Sequence, residues 1–377
     1  MLDDFDLTQT IEPLQKWFTG HARVLPWREN PTAYYVWISE IMLQQTRVEA
    51  VKPYFERFIR ELPDVKALAK CPEDKYLKLW EGLGYYNRVR NLNAAAQQIM
   101  EAYDGVIPSD YEKLLKLKGI GHYTAGAIAS IAYGKPYPAV DGNVLRVISR
   151  VSADTSDIMK QSVRKNMEDR LSELMRSHSS CEPCGADTVI LQPRIFNQAL
   201  MELGAMVCVP NGTPHCKECP WEQFCEARLQ NRIAELPVKS KAKNRRIENK
   251  TVFIIREGDR VAIHKRGEKG LLAGLYELPN HSGHMNQEEA LAYVKSLGYA
   301  PLRILPLEDA KHIFSHVEWH MKGYAVLVEE PGQKEDHNNF LFVEREDAME
   351  RYAIPSAFVK YAEYLNIEIG KNAITVK

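Results

Sequence analysis

Cys208-Val-Pro-Asn-Gly-Thr-Pro-His-Cys216-Lys-Glu-Cys219-Pro-Trp-Glu-Gln-Phe-Cys225 gathers four of the chain's seven cysteines into one short stretch with the spacing C-x7-C-x2-C-x5-C. In a reducing compartment such crowding favours metal ligation over disulfides. Four thiolates this close can surround a single [4Fe–4S] cube or one zinc ion, and four unrelated buried cysteines account poorly for the spacing. A zinc ribbon pairing Cys181-x2-Cys184 with Cys216-x2-Cys219 is a sharper rival. Its intervening stretch exceeds the roughly 15–20 residues usual for such sites, and it leaves Cys208 and Cys225 without a role.

Outward from this loop, 377 residues exceed one typical domain, so two domains are expected. Hydrophobic residues at 45% and charged residues at 26% describe an ordinary globular mixture. The net charge of -1 announces no polyanionic partner, so any nucleic-acid binding must come from local basic placement. The start Met1-Leu-Asp-Asp-Phe-Asp6 is acidic and lacks the basic and apolar parts of a secretory signal. No apolar stretch approaches the roughly 18 residues that span a bilayer. The expectation is a soluble, cytoplasmic protein without membrane contact.

Up to about Gln230 the chain reads as helices broken by short Gly/Pro turns, with helical spacing of apolar residues from Val36 to Val51 and again in Val144-Leu-Arg-Val-Ile148. Pro237–Lys250 (PVKSKAKNRRIENK) is polar and basic, and residues 231–250 are read as a linker. Beyond it, Thr251–Ile255 and Val261–Ile263 are β-rich runs flanking Glu257-Gly-Asp259, a hairpin signal. Tyr324–Val328 and Asn339–Val343 read as further strands, and Glu288–Ser296 and Ser356–Tyr364 as helices. An all-α half thus precedes an α+β half at 251–377.

Within the helical half, Leu117-Lys-Gly119-Ile-Gly121-His-Tyr123-Thr-Ala125 sets two glycines just before an Ala-rich helix. Glycines let backbone approach closely, and a helix start offers free N–H groups to an anion. This is a helix–hairpin–helix pattern at about 111–134, which grips phosphate without reading sequence. Alone it is an ordinary tight turn; the downstream cysteines give it weight. Two acids stand out as well. Glu40 lies among Trp37, Ile41 and Leu43, where apolar neighbours raise a carboxyl's pKa. Asp141 immediately precedes a helix. From the residues alone, Asp141 reads first as an N-cap and Glu40 equally as part of a solvated face.

Val36-Trp-Ile-Ser-Glu-Ile-Met-Leu-Gln-Gln-Thr46, Ala139-Val-Asp-Gly-Asn-Val-Leu-Arg146 and the cysteine loop together resemble the endonuclease III and MutY superfamily, and the MutY-type adenine DNA glycosylases in particular, over about Leu14 to Tyr364. The first cysteine spacing is one residue longer than the family's, an addition the Asn211-Gly212 turn can absorb. The resemblance implies a [4Fe–4S] cluster on Cys208, Cys216, Cys219 and Cys225, shaping a loop that touches DNA. It implies that Glu40 protonates the departing adenine at N7 and that Asp141 stabilises the sugar cation, with Asn143 orienting the reacting groups. Such a reaction needs a proton on the base and negative charge beside an oxocarbenium sugar. Trp27 and Arg28 in Leu25-Pro-Trp-Arg28, and Gln198, fall where the family holds the flipped adenine. Leu43, Gln45, Thr46 and Tyr85 match its wedge and DNA contacts, beside Gly119 and Gly121.

Tyr123 stands where lyase-competent relatives carry a Schiff-base lysine, so the resemblance implies a monofunctional hydrolase; the residue before it, usually proline, is His122. Gly270–Pro279 and the helix ending at Ser296-Leu-Gly298 resemble a Nudix fold, with Lys295 and Ser296 where a working Nudix hydrolase needs glutamates. The domain is therefore expected to recognise 8-oxoguanine, through Phe314-Ser315-His316, rather than to cleave pyrophosphates. The partner implied is duplex DNA with adenine opposite 8-oxoguanine or guanine, bound by a monomer. An iron–sulfur lyase acting on oxidised pyrimidines is the alternative, disfavoured by Tyr123 and the Nudix-like half. A non-catalytic cluster protein is disfavoured by the presence of both Glu40 and Asp141.

Overall fold

The computed structural model describes residues 5–179, 189–240, 244–329 and 340–369. Cys181 and Cys184 lie outside them, as does Asn339. By internal contacts the chain forms two units, Met1–Lys70 with Asn91–Lys241, and Cys71–Arg90 with Ala242–Lys377. Among the described residues no helix is long and apolar enough to cross a membrane.

The first unit is helical. The helix Ala33–Leu43 begins where the Thr32 hydroxyl accepts the Tyr35 N–H at 3.2 Å, and nearly every side chain from Tyr34 to Met42 is buried. A helix apolar all round belongs inside a bundle rather than on its surface. The apolar periodicity that spans Val36 to Val51 does not mark one helix. Helix Ala33–Leu43 stops and Val48–Glu61 starts afresh, because Gln45 takes a left-handed φ of 61°. Apolar spacing carries across a sharp turn whenever both flanks face the same core, so periodicity alone misses the break.

Helix Gly142–Val151 packs on helix Pro193–Met206, the latter opened by a proline whose missing N–H costs nothing there. Gly204 permits this approach, since a Cβ there would sit 2.6 Å from the Asn143 Cβ. The core around them holds Ile11, Leu14, Val147, Ile148, Phe196, Leu200 and Trp221. Trp221, from the cysteine loop, donates its indole N–H to the Thr10 carbonyl at 3.1 Å and so fastens that loop to the bundle. The hairpin runs from helix Tyr111–Leu115 to helix His122–Ala127, with Gly119 at φ 76°. A side chain on Gly119 would also press within 2.6 Å of Asn91.

The second unit is a mixed sheet with helices on it. Strands β1 (Arg246–Glu257), β2 (Arg260–Lys265), β3 (Tyr276–Glu277), β4 (Asn280–Ser282), β5 (Pro301–Ile313), β6 (Val317–Val328) and β7 (Leu341–Val343) take the order β3-β2-β1-β6-β5, with β4 on β1 and β7 on β2. β1 and β6 run parallel from Arg246↔Val317 to Arg256↔Leu327, while β1 and β2 close an antiparallel hairpin around Gly258-Asp259. Val252 and Ile254 join a core with Phe358 and Tyr361, whereas Phe253 and Ile255 join one with Ala290 and Val294 of helix Gln287–Ser296. The alternation of side chains along β1 thus buries both sheet faces, which is why Thr251–Ile255 reads as a continuous apolar run.

One expectation needs correction here, and one strand was not expected. β1 begins at Arg246, inside the stretch 231–250 read as linker, because backbone pairing with β6 continues along residues whose side chains are exposed. β5 was not anticipated: it is an edge strand, half-exposed throughout, with Pro301 and Pro306 where only an edge tolerates them. The helical segment Cys71–Arg90 makes its contacts with this sheet unit. Ile354 N–H donates to Glu81 Oε1 at 2.8 Å, Lys78 Nζ to the Tyr352 carbonyl at 2.9 Å and Arg90 to the Ala273 carbonyl at 2.6 Å.

Candidate active site

One cavity of about 670 Å3 in the first unit is lined by Trp27, Arg28, Glu40, Leu43, Gln45, Thr46, Tyr123, Asp141, Asn143 and Gln198, ten of the residues expected at the site. Its size admits a whole nucleoside, base and sugar together, with room for flanking groups. Glu40 projects from the buried face of helix Ala33–Leu43 and is 6% exposed. Burial pushes its carboxyl up to about 7, the Asp141 charge adds to the rise, and a hydrogen bond from Tyr123 and the charge of Arg28 oppose it. Tyr123, at the start of the second hairpin helix, gives that hydrogen bond from its hydroxyl to Glu40 Oε2.

Asp141 is the N-cap of helix Gly142–Val151, accepting the Val144 N–H at 2.8 Å. It is also held by Asn143 Nδ2 at 2.7 Å. Burial raises its pKa, while these two donors and Arg146 favour its charged form. The cap and the site residue are therefore one geometry, since helix start and carboxylate orientation are fixed by the same bonds. Arg146 in turn donates to Asn143 Oδ1 at 2.9 Å, to the Gly204 carbonyl at 2.7 Å and to the Cys208 carbonyl at 2.9 Å. Glu40 and Asp141 thus stand in one cavity with different surroundings, the first deeply buried with one hydroxyl donor and the second in a hydrogen-bond cage. Burial raises both, and the donors around Asp141 offset it there more than the single hydroxyl does at Glu40, so the two can differ in protonation.

Glu202 is a lining residue that the sequence reading missed. It is 1% exposed and takes Arg23 Nε at 2.7 Å and Arg28 at 2.9 Å. Burial works against its charge, but the two arginines hold its pKa down to about 2. Glu202 sits four residues after Gln198, on the same face of helix Pro193–Met206. Trp27 is buried edge-on against Phe55, ring centroids 5.4 Å apart.

Other expected residues lie elsewhere. Gly119 and Gly121 form the hairpin and do not line the cavity. Tyr85 belongs to the second unit, takes a left-handed φ of 48°, and its hydroxyl lies 3.0 Å from Ser315 Oγ. His316 is exposed in the same turn, its carbonyl accepting the Arg246 N–H at 3.0 Å, and Phe314 packs on Trp319. On helix Gln287–Ser296, Glu289 is used in a capping box with Asn286, and Ser296 bonds the Tyr293 carbonyl.

Cys208, Cys216, Cys219 and Cys225 are free thiols that line one small cavity together with Arg150 and Arg228. Among the described residues no three His, Cys, Asp or Glu side chains close on a single metal ion. Burial pushes the Cys219 thiol up to about 12 and raises Cys216 and Cys225, and the neighbouring cysteines add to this in each case. Four sulfurs brought together this way need cationic company to ionise. Arg150 supplies part of it, donating to Cys208 Sγ at 3.3 Å and to the Val209 carbonyl at 3.0 Å. The donor set fits an all-thiolate metal group.

Comparison with known proteins agrees with this architecture. Residues 38–173 match the HhH-GPD superfamily base excision DNA repair protein family, and residues 251–364 match the NUDIX domain. The chain is similar to the adenine DNA glycosylase of Buchnera aphidicola subsp. Acyrthosiphon pisum (strain APS), 33% identical over 313 residues, which cover 83% of this chain and 85% of that one. It is 32% identical to the Rattus norvegicus adenine DNA glycosylase over 385 residues, covering 87% and 72% of the two chains. Identity to the Homo sapiens adenine DNA glycosylase is 31% over 387 residues, covering 87% and 68%. With a helical HhH-GPD unit, a Nudix-like sheet unit and this similarity along most of its length, the chain belongs to the MutY-type adenine DNA glycosylase family.

Proposed function

We propose that this adenine DNA glycosylase removes adenine mispaired with 8-oxoguanine or guanine in duplex DNA, by hydrolysis of the N-glycosidic bond. The observation that carries the mechanism is the pair of carboxyls in one cavity, Glu40 with its pKa pushed up to about 7 and Asp141 caged by Asn143 and Val144. A base must leave the helix to reach such a cavity. Glu40, still protonated near neutrality, gives its proton to N7 of the departing adenine while the C1′–N9 bond breaks. Asp141 supplies negative charge beside the oxocarbenium sugar, water then adds at C1′, and the water's proton passes to a carboxylate. The products are adenine and an abasic site. Tyr123 holds Glu40 in place and Asn143 holds Asp141.

Trp27, Arg28 and Gln198 bind the adenine in this reading. Gln45 and Tyr85 have the wedge role in this reading, Leu43 and Thr46 contact the DNA, and Gly119 and Gly121 hold the backbone. Ser315 and His316 read the opposite base. Excision is assigned to residues 1–230 and lesion reading to 251–377, with Tyr85 joined to the latter through Ser315. The four cysteines would hold a [4Fe–4S] cluster, whose contribution when bound is to order the loop between Cys208 and Cys225. The enzyme works as a monomer wherever the DNA is, in the cytoplasm or nucleoid.

A panel of duplexes with adenine opposite 8-oxoguanine, guanine, cytosine and thymine tests the function. Free adenine is expected from the first two and not from the pair with thymine. No adenine from any of the four, with base release from a further duplex that carries an oxidised pyrimidine, would overturn the reading.

A further inference from the structure

The stretch after Leu236 is tied to the helical unit instead of hanging free. The Leu236 carbonyl accepts Arg150 Nε at 2.9 Å, and the Ile158 N–H donates to the Val238 carbonyl at 3.1 Å. Ser240 gives Asp157 two hydrogen bonds, from its backbone N–H at 3.2 Å and its hydroxyl at 2.6 Å. These ties bracket Lys239 on both sides, and Lys239 lines the cavity that holds Glu40 and Asp141.

The cavity's other cations are largely committed. Arg23 and Arg28 hold Glu202, and Arg146 holds Asn143 and two carbonyls. Arg164 gives one N–H to the Val140 carbonyl at 3.0 Å, next to Asp141, and its charge also acts on Glu168, with no further hydrogen bond from its guanidinium among the described residues. Among the described residues no hydrogen bond or ion pair joins the Lys239 ammonium to an acceptor. Of the five cations in the lining, Lys239 and Arg164 are thus the two with donors to spare, in a cavity whose Glu40 and Asp141 serve the base and the sugar. A nucleotide turned out of a duplex carries a phosphodiester on each side of its sugar, and lysine and arginine are the side chains suited to hold one.

We propose that Lys239, delivered by the tied linker, pairs with Arg164 to clamp a DNA phosphodiester flanking the extruded adenosine. This rests on the glycosylase reading above. The linker then does more than join two units: it contributes a binding residue to the catalytic cavity, and loosening it at Asp157 weakens the clamp.

Binding of a duplex with adenine opposite guanine tests this, in the full-length Glu40→Gln protein so that no turnover occurs. Lys239→Ala is expected to raise Kd several-fold and to make the salt dependence of log K shallower by about 0.9, the contribution of one phosphate. Lys239→Arg restores both. A neutral methylphosphonate at the flanking position weakens binding to the Lys239 protein more than to Lys239→Ala, which has only the Arg164 contact left to lose. Asp157→Ala shifts Kd in the same direction as Lys239→Ala. An unchanged Kd and salt slope in Lys239→Ala overturns the clamp. So does borohydride trapping of an abasic product that vanishes in Lys239→Arg, which would make Lys239 a nucleophile instead. Adenine release by the wild-type protein separates the two layers: its absence sinks the glycosylase reading, while release with an unaltered Lys239→Ala slope sinks only the clamp.

Discussion

The Tyr123 hydroxyl donates its hydrogen to Oε2 of Glu40, joining the second hairpin helix to the buried helix Ala33–Leu43. The bond favours the ionised carboxyl and so opposes burial, which dominates and leaves Glu40 at about 7. A general acid works while protonated, so the excision rate should fall as pH rises through about 7. Tyr123→Phe removes a lowering influence and raises the Glu40 pKa further. Its alkaline limb is therefore expected at higher pH than that of the wild type. Single-turnover pH profiles check this; a limb that stays put, or moves to lower pH, contradicts the role given to Tyr123.

Because Tyr123 occupies the place of a Schiff-base lysine, base removal should not be accompanied by strand cleavage until alkali is added. Borohydride should trap little enzyme on the abasic product, and slowly. Stoichiometric trapping as fast as adenine is released would show that another amine serves as nucleophile.

Tyr85 and Ser315 meet through their hydroxyls at 3.0 Å in the sheet unit. Adenine is the same base whatever stands opposite it, so discrimination must come from the opposite base, whose N7–H and O8 mark the oxidised form. One hydrogen bond is worth about 0.5–1.5 kcal/mol, so Ser315→Ala should narrow the preference for 8-oxoguanine over guanine only several-fold. An unchanged ratio of single-turnover rates would remove Ser315 from lesion reading. Deleting everything after Leu236 is a blunter test than it looks from sequence. It would also strip Cys71–Arg90, and Tyr85 with it, of the partners Ile354, Tyr352 and Ala273.

Purified protein should be brown, absorb near about 400 nm and carry about four irons per chain. Serine at any of Cys208, Cys216, Cys219 or Cys225 should lose iron, whereas Cys181→Ser with Cys184→Ser should keep it. Stoichiometric zinc without iron in anaerobically purified protein would contradict the cluster, and iron loss in the double variant would mean different ligands.

How far the sequence carries is clearest at particular residues. The two-part architecture is legible because helical periodicity gives way to the apolar run Thr251–Ile255, and a strand covered on both faces must read that way. Glu40, Asp141 and Asn143 are legible as members of one site only through motif resemblance, since no local rule joins residues a hundred positions apart. The break at Gln45 is not legible, because a left-handed φ at a non-glycine residue is imposed by tertiary packing. Nor is the strand Pro301–Ile313, whose edge position frees it from the apolar alternation that advertises strands. Glu202 escapes because a glutamate in a helix ordinarily faces water; only Arg23 and Arg28, far away in sequence, explain its burial. The attachment of Cys71–Arg90 to the sheet unit depends on backbone acceptors, which leave no mark on residue type.

The central claim, that Glu40 delivers the proton and Asp141 the charge, is tested most directly by single-turnover adenine release from a duplex with adenine opposite 8-oxoguanine. Glu40→Gln keeps the volume but not the acid. Asp141→Asn keeps an oxygen able to cap Val144 and so leaves helix Gly142–Val151 its N-cap. Each variant is expected to bind the duplex and to lose on the order of a hundred- to ten-thousand-fold in rate. A Glu40→Gln protein that releases adenine within a few-fold of the wild-type rate would contradict the account.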